Sequence, residues 1–299
     1  MNRKSLLTFL IVTFGLAWIL FTLPIIFKNG PQSNNYLLAM QVFFALAMWA
    51  PGLGAILATK LVEKQPVLKT LRLNTLGPRR FYLAAWLCPA LIVFATFGVS
   101  LILGTGTLDT NLSLIRESYA KVPAGTALPD PWVVALAQSA FALTLAPFIN
   151  ILFTMGEELG WRGFLLPKLM PLGQWKAILL SGAIWGFWHA PTTLLHGYNF
   201  PLHPYLGILV MIGGCILLGI ILSWLYLKTR SPWVAALAHG AFNAVAGIPF
   251  FFLKPGFDTA LAGSPLGLAG WVSMALIIAC LLWAKQLPVE LPEPQPTEA

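Results

Sequence analysis

Eight apolar stretches, each long enough to cross a bilayer, follow one another along the chain: 5–27, 36–61, 81–104, 132–155, 175–195, 205–227, 232–253 and 265–284. A spanning helix needs about 20 apolar residues at a rise of 1.5 Å each. In hydrocarbon the backbone can satisfy its own polar groups only as a helix or a closed barrel. Runs of this length predict an all-α polytopic membrane protein of about eight transmembrane helices, with any site inside the bundle. Only 9% of the residues are charged, against about 25% in soluble domains, which excludes a water-soluble globule. The net charge of +8 comes without a Lys/Arg stripe interleaved with aromatics, so the expected partner is the lipid bilayer and not nucleic acid.

Basic residues are unevenly shared between the loops. With eight spans both termini lie on one side. That side carries Arg3, Lys4, Lys60, Lys64, Lys69, Arg72, Arg79, Arg80, Arg162, Lys168, Lys176, Lys228, Arg230 and Lys285. The other side carries Lys28, Arg116, Lys121 and Lys254. The positive-inside rule then predicts a multi-pass protein of the cell membrane with both termini cytoplasmic. The first run is too long for a signal-peptide core and has no small-residue cleavage site after it, so it is read as a spanning helix. One integral unit is expected, in four parts. Residues 1–130 hold three helices and an outer loop, 131–255 a catalytic core, 256–287 the last helix, and 288–299 a Pro- and Glu-rich disordered tail. Cys88, Cys215 and Cys280 sit in apolar runs without metal-type spacing and read as core residues. Outer loop 105–131 carries Asp109, Glu117 and Asp130 without a chemical pattern.

Ionisable groups within spans are costly and mark function by default. Between Asp130 and Asp258 the only acids are Glu157 and Glu158. Arg162 is four residues after Glu158, on the same helical face, and gives it a counterion. Glu157 points about 100° away and lacks that partner. His189 follows Trp185 by four residues, and Asn243 follows His239 by four, both inside apolar helices, while Gly240 and Ala241 let a neighbouring helix approach. Pro191 predicts a kink beside His189. His196 and His203 fall in an outer turn and read as solvated loop residues.

Carboxylates and imidazoles together suit water activation and hydrolysis of an amide bond. Two chemistries are open to them. Zn²⁺ or another divalent metal could be held by Glu157, His189 and His239 with a position left for water. Alternatively Glu157 and His189 activate water without metal, while His239 and Asn243 donate to the developing oxyanion. No HExxH or Gly-x-Ser-x-Gly occurs, and no aspartate lies in a span.

Glu157-Glu158-x-x-x-Arg162, then Trp185-x-x-x-His189, then His239-x-x-x-Asn243 resembles, in order, the motif set of the CPBP family. These are the CAAX-processing and bacteriocin-processing intramembrane proteases, also called the Abi or Rce1-type family. The resemblance covers roughly residues 130–250. Trp185 stands where the family's second motif usually has Phe. Membership implies a helical membrane core of about eight helices, peptide-bond hydrolysis and an active site open to the cytosolic side. Glu157 and His189 would be the essential pair, with Glu158, Arg162, His239 and Asn243 supporting or metal-binding. The implied substrate is a peptide or protein, such as a lipidated C-terminal peptide or a bacteriocin precursor. The other functions such a chain could serve are bacteriocin self-immunity or scaffolding without catalysis, and proton- or ion-coupled transport. The lack of internal repeats and of broken-helix pairs speaks against transport.

Overall fold

A computed structural model describes residues 2–28, 33–123 and 125–290. Most of the expected disordered tail, residues 291–299, lies outside these. Among the described residues the chain is helical without a strand, apart from one isolated bridge between Leu108 and Leu253. The principal helices are α1 (Arg3–Thr22), α2 (Asn34–Ala47), α3 (Ala50–Leu57), α4 (Arg80–Ile102), α5 (Pro131–Thr144), α6 (Ala146–Glu158), α7 (Gln174–Trp188), α8 (Ala190–His196), α9 (Pro204–Thr229), α10 (Pro232–Val245) and α11 (Leu268–Trp283).

The protein is an all-α, multi-pass membrane protein. Among the described residues five helical segments are long and apolar enough to cross a membrane, and a sixth is added if α5 and the bent stretch after it count as one span. The other two of the eight expected spans are shorter. The stretch 175–195 is two helices, because α7 ends at Trp188 and Pro191 opens α8. The last, α11, has 16 helical residues.

The fourth span bends by 54° between α5 and α6. Pro147 lies in the first turn of α6. Its ring has no N–H and clashes with the carbonyl four residues back, that of Leu143. The freed Leu143 carbonyl accepts the Trp86 indole N–H from α4 at 2.7 Å, so a neighbouring helix satisfies the acceptor that the proline leaves open. The bend aims α6 and its terminal glutamates inward, where α10 packs along it.

Each of the three motifs has a glycine beside a key residue, and each glycine meets foreign backbone. A Cβ on Gly156 would lie 2.6 Å from the Met48 carbonyl oxygen and 2.7 Å from Trp49 Cα, at the break between α2 and α3. One on Gly186 would lie 2.5 Å from Ile212 Cα of α9. One on Gly240, the close-approach position expected from the sequence, would lie 2.9 Å from the Pro147 carbonyl oxygen. In a bilayer, where helices gain nothing from leaving lipid, such small-residue crossings supply the packing that fixes helix position.

The two ends of the bundle are tied differently. At the end of the basic loops, Ser5 Oγ donates to Glu63 at 2.6 Å and Lys168 pairs with the same carboxylate. There Trp233 Nε1 donates to the Leu73 carbonyl at 2.9 Å, and Gln174 exchanges two hydrogen bonds with the backbone of Val289. At the opposite end His196 bridges three spans. Its Nε2 contacts the Phe21 carbonyl at 2.7 Å and its Nδ1 the Tyr36 hydroxyl at 2.7 Å. His196 is therefore a packed tie and not the solvated loop residue expected. His203 does sit in the loop, half exposed, and contacts Asp258 at 3.1 Å.

Asp109 and Asp130, which carried no pattern in sequence, are backbone caps. Asp130 accepts from Trp132 N at the start of α5. Asp109 accepts from the N–H groups of Asn111 and Ser113. Burial acts to raise the Asp109 carboxyl, but these donors, the Ser113 hydroxyl and the charge of Lys254 together hold it below its ordinary value. Of the cysteines expected in the core, Cys215 is buried and Cys88 partly so, while Cys280 is exposed on α11. A thiol facing lipid needs no burial, which removes the physical basis of that expectation.

Gly156→Val is expected to overpack its crossing and cost about 1–3 kcal/mol, seen as a lowered unfolding temperature in detergent. Gly98→Val, where a Cβ meets nothing within 4 Å, is expected to leave it unchanged.

Candidate active site

The α6 helix ends in Glu157 and Glu158, and a π-helical stretch, Leu159–Leu165, continues from it. π turns are rare and concentrate at functional sites. Glu157, Glu158 and Arg162 retain only 2%, 0% and 1% of their exposure. Arg162 was counted with the cytoplasmic loops by sequence, but it is a buried member of this cluster.

Glu158 Oε1 accepts from Arg162 Nη1 at 2.8 Å and from His239 Nδ1 at 3.0 Å. The Arg162 guanidinium in turn lies over the Trp185 ring, 4.6 Å from its centroid. Glu157 is held differently. Its Oε2 accepts from the Trp185 indole at 2.7 Å and from the Trp161 indole at 3.3 Å. One glutamate is thus paired with a guanidinium and an imidazole. The other is gripped at a single oxygen by two neutral donors, which leave Oε1 over.

The histidines are each fixed through Nδ1. His189 caps α7, and its Nδ1 is 3.1 Å from the Trp185 carbonyl oxygen four residues back. A carbonyl can only accept, so Nδ1 carries the proton and Nε2 bears the lone pair. His239 directs Nδ1 at Glu158 and packs edge-on to Trp185, with ring centroids 5.1 Å apart. Glu157, His189, His239 and Asn243 all line one cavity of about 410 Å³. Its other walls are largely aromatic and aliphatic, including Phe21, Trp188 and Phe242.

The donor chemistry fits a metal: two imidazoles, each oriented through Nδ1 with Nε2 to spare, and a carboxylate. The spacing does not. Among the described residues no three His, Cys, Asp or Glu side chains stand close enough together to share an ion, so Glu157, His189 and His239 face each other across a space and do not form a closed ligand set.

All six residues singled out by sequence therefore meet, in two shells. Glu157, His189, His239 and Asn243 face the cavity, and Glu158 and Arg162 stand behind His239. Sequence reasoning missed Trp161 and took Trp185 only for an aromatic surface. The spacing of Trp161, four residues after Glu157, was the available signal. The Trp185 contact joins two helices and left none.

A polytopic helical bundle with buried glutamates and histidines around one cavity defines an intramembrane protein with a candidate hydrolytic site. Residues 133–245 match the family described as Type II CAAX prenyl endopeptidase Rce1-like. Over 105 residues the chain is 31% identical to CAAX prenyl protease 2 of Methanococcus maripaludis. That similarity takes in 30% of this chain and 35% of the relative, so the match spans about a third of the relative's length. All six residues singled out by sequence fall within the matched segment.

Arg162→Met should leave the Glu158 carboxylate buried with one partner fewer and cost about 3–5 kcal/mol. Thermal unfolding in detergent is expected to drop accordingly. The double variant Glu158→Gln/Arg162→Met, which removes both charges, should recover part of the loss.

Proposed function

We propose that the protein is an intramembrane endopeptidase that hydrolyses a peptide bond by joint action of Glu157 and His189 on a water molecule. The observation that carries this most directly is the asymmetric hold on Glu157: two indole donors fix Oε2 and leave Oε1 beside a cavity that His189 shares. Water bound between Glu157 Oε1 and His189 Nε2 gives up a proton to the carboxylate as its oxygen adds to the scissile carbonyl carbon. Negative charge then develops on the carbonyl oxygen. Asn243, which lines the cavity one turn beyond His239, donates to it. Glu158 holds the His239 ring through Nδ1, which keeps that imidazole on the cavity wall one turn before Asn243. The C–N bond breaks as the proton held on Glu157 passes to the leaving nitrogen, and the carboxylate is restored.

Peptide or protein is accordingly the substrate class and the cell membrane the site of action, with the basic loops, the N-terminal end of α1 and the C-terminal end of α11 on the cytoplasmic face. Any metal role rests on Glu157, His189 and His239, and no step above needs one.

In proteoliposomes offered a mixed peptide library, with cleavage read by mass spectrometry, Glu157→Gln and His189→Ala are expected to abolish hydrolysis while keeping the parent's unfolding temperature. Undiminished cleavage by both variants would refute the assignment. A chelator arm with elemental analysis tests the metal: cleavage lost to chelator and restored by Zn²⁺ alone would replace the metal-free steps.

Trp185 is a positioning residue in this scheme. Trp185→Phe brings back the ring usual at the family's second motif but deletes the donor to Glu157. A hydrogen bond to a charged group is worth about 1.5–3 kcal/mol, so kcat is expected to fall about 10- to 100-fold with KM little changed.

A further inference from the structure

We propose that Arg72, Arg230 and the Tyr226 hydroxyl form a binding site for a phosphate group, supplied at the basic end of the bundle by the headgroup of an anionic phospholipid. The site is separate from the hydrolytic one, since none of the three residues lines the cavity of Glu157 and His189.

Basic loops at a membrane surface need no ligand to explain them, because their lysines and arginines are ordinarily solvated and record orientation. This pair differs from its neighbours in how the fold holds it. Arg230 caps α9 in the left-handed region, at φ 55°, with its N–H turned back onto the Tyr226 carbonyl at 2.6 Å. Arg72 follows the short helix Val67–Thr70 and is also left-handed, at φ 58°. Glycine or asparagine takes such positions at less cost. The loop that carries Arg72 is fastened onto the turn between α9 and α10. Leu71 is fully buried. The Leu73 carbonyl accepts the Trp233 indole N–H at 2.9 Å, and the Leu76 carbonyl accepts from the Tyr82 hydroxyl at 2.7 Å. A Cβ on Gly77 would lie 3.0 Å from that of Thr229 and 3.1 Å from that of Ser231.

The two cations converge on a polar group that has no partner. Tyr226 keeps 2% of its exposure, and the charges of Arg72 and Arg230 both act on its hydroxyl. Among the described residues that hydroxyl makes no hydrogen bond, and the arginine side chains that do are Arg116 and Arg162. No carboxylate pairs with Arg72 or Arg230 there either, and Glu63 of the neighbouring loop is already taken by Ser5 and Lys168. Burial, and after it the charge of Arg72, hold Arg230, just beyond the span, below its ordinary value. Two partly buried guanidiniums beside one another have lost hydration and repel. Together with the phenol they present N–H and O–H donors to one place, and phosphate oxygens are the acceptors that guanidinium forks fit.

The surroundings point to lipid as the source. Leu68 and Leu76, on the loop that bears Arg72, each keep 64% of their exposure and are interspersed with Lys64, Lys69, Arg79 and Arg80. Outward apolar side chains among basic ones, at the end of the spans, suit a segment lying in the headgroup layer. A lipid seated there sets its phosphate on the arginines while its acyl chains run along the bundle. A zwitterionic headgroup would bring an ammonium into the field of two unneutralised cations, so an anionic one is favoured.

The full chain in a neutral detergent, at about 150 mM salt to screen diffuse surface attraction, is titrated with dioleoylphosphatidylglycerol, dioleoylphosphatidylcholine or inorganic phosphate. Native mass spectrometry reads lipid adducts, and the shift in unfolding temperature reads phosphate. Phosphatidylglycerol is expected to bind at least about 10-fold more tightly than phosphatidylcholine, and Arg72→Gln/Arg230→Gln to lose at least about 10-fold of that affinity. Arg79→Gln/Arg80→Gln removes the same charge from the same stretch and is expected to stay within about 3-fold of the parent. Arg72→Lys/Arg230→Lys, which keeps both charges but not the forks, should fold as the parent does and bind between the two. Tyr226→Phe should weaken binding without moving the unfolding temperature of the lipid-free chain. Phosphate that stabilises the parent but not Arg72→Gln/Arg230→Gln, with no preference between lipids, would keep the site and replace its source by free phosphate. Equal binding of both lipids with no effect of phosphate would overturn the site. So would an equal loss in the two glutamine variants, which leaves only diffuse attraction to a basic surface.

Discussion

Two adjacent carboxylates buried in an apolar bundle set the terms for everything around them. Glu157 and Glu158 keep 2% and 0% of their exposure, and a carboxylate removed from water without partners costs several kcal/mol. The bundle answers that cost twice, by different means. Glu158 receives full charge compensation from Arg162 and a hydrogen bond from His239. Glu157 receives only indole N–H groups, at one oxygen. Hydrogen bonds of this kind satisfy a carboxylate oxygen without cancelling its charge, so the two neighbouring glutamates are held in physically different ways.

Trp185 connects the two arrangements. Its N–H binds Glu157, its face carries the Arg162 guanidinium, and its edge-on neighbour is His239. Its carbonyl oxygen holds His189. One residue therefore touches both halves of the site, and the helix that bears it is pressed onto α9 at Gly186. The family's usual Phe could supply the face and the backbone carbonyl but not the N–H. In this chain Trp161 and Trp185 together take up the grip on Glu157.

Much of this was legible in sequence, for specific reasons. Spacing of four residues on a helix is a local rule, so the Glu158–Arg162 pair and the shared face of Trp185 and His189 could be read directly. Glu157 stood out because so few charges compete for attention in this chain. The bend at Pro147 could have been anticipated from the proline. Its rescue by Trp86 could not, because Trp86 lies on another helix. His196 was misjudged for the same reason: its partners, Phe21 and Tyr36, belong to the first and second spans.

What the sequence determined by itself was the solvent, the helical class and the roster of polar groups. Each follows from composition or short-range periodicity, which depend on neighbours along the chain. The tertiary structure alone decided that His239 meets Glu158, that Glu157 hangs on two indoles, and that both histidines share one cavity with Glu157. These depend on how bent and kinked helices cross, and the crossings are fixed where Gly156, Gly186 and Gly240 let backbones touch. A one-dimensional pattern specifies the face of a helix, and only packing specifies what that face meets.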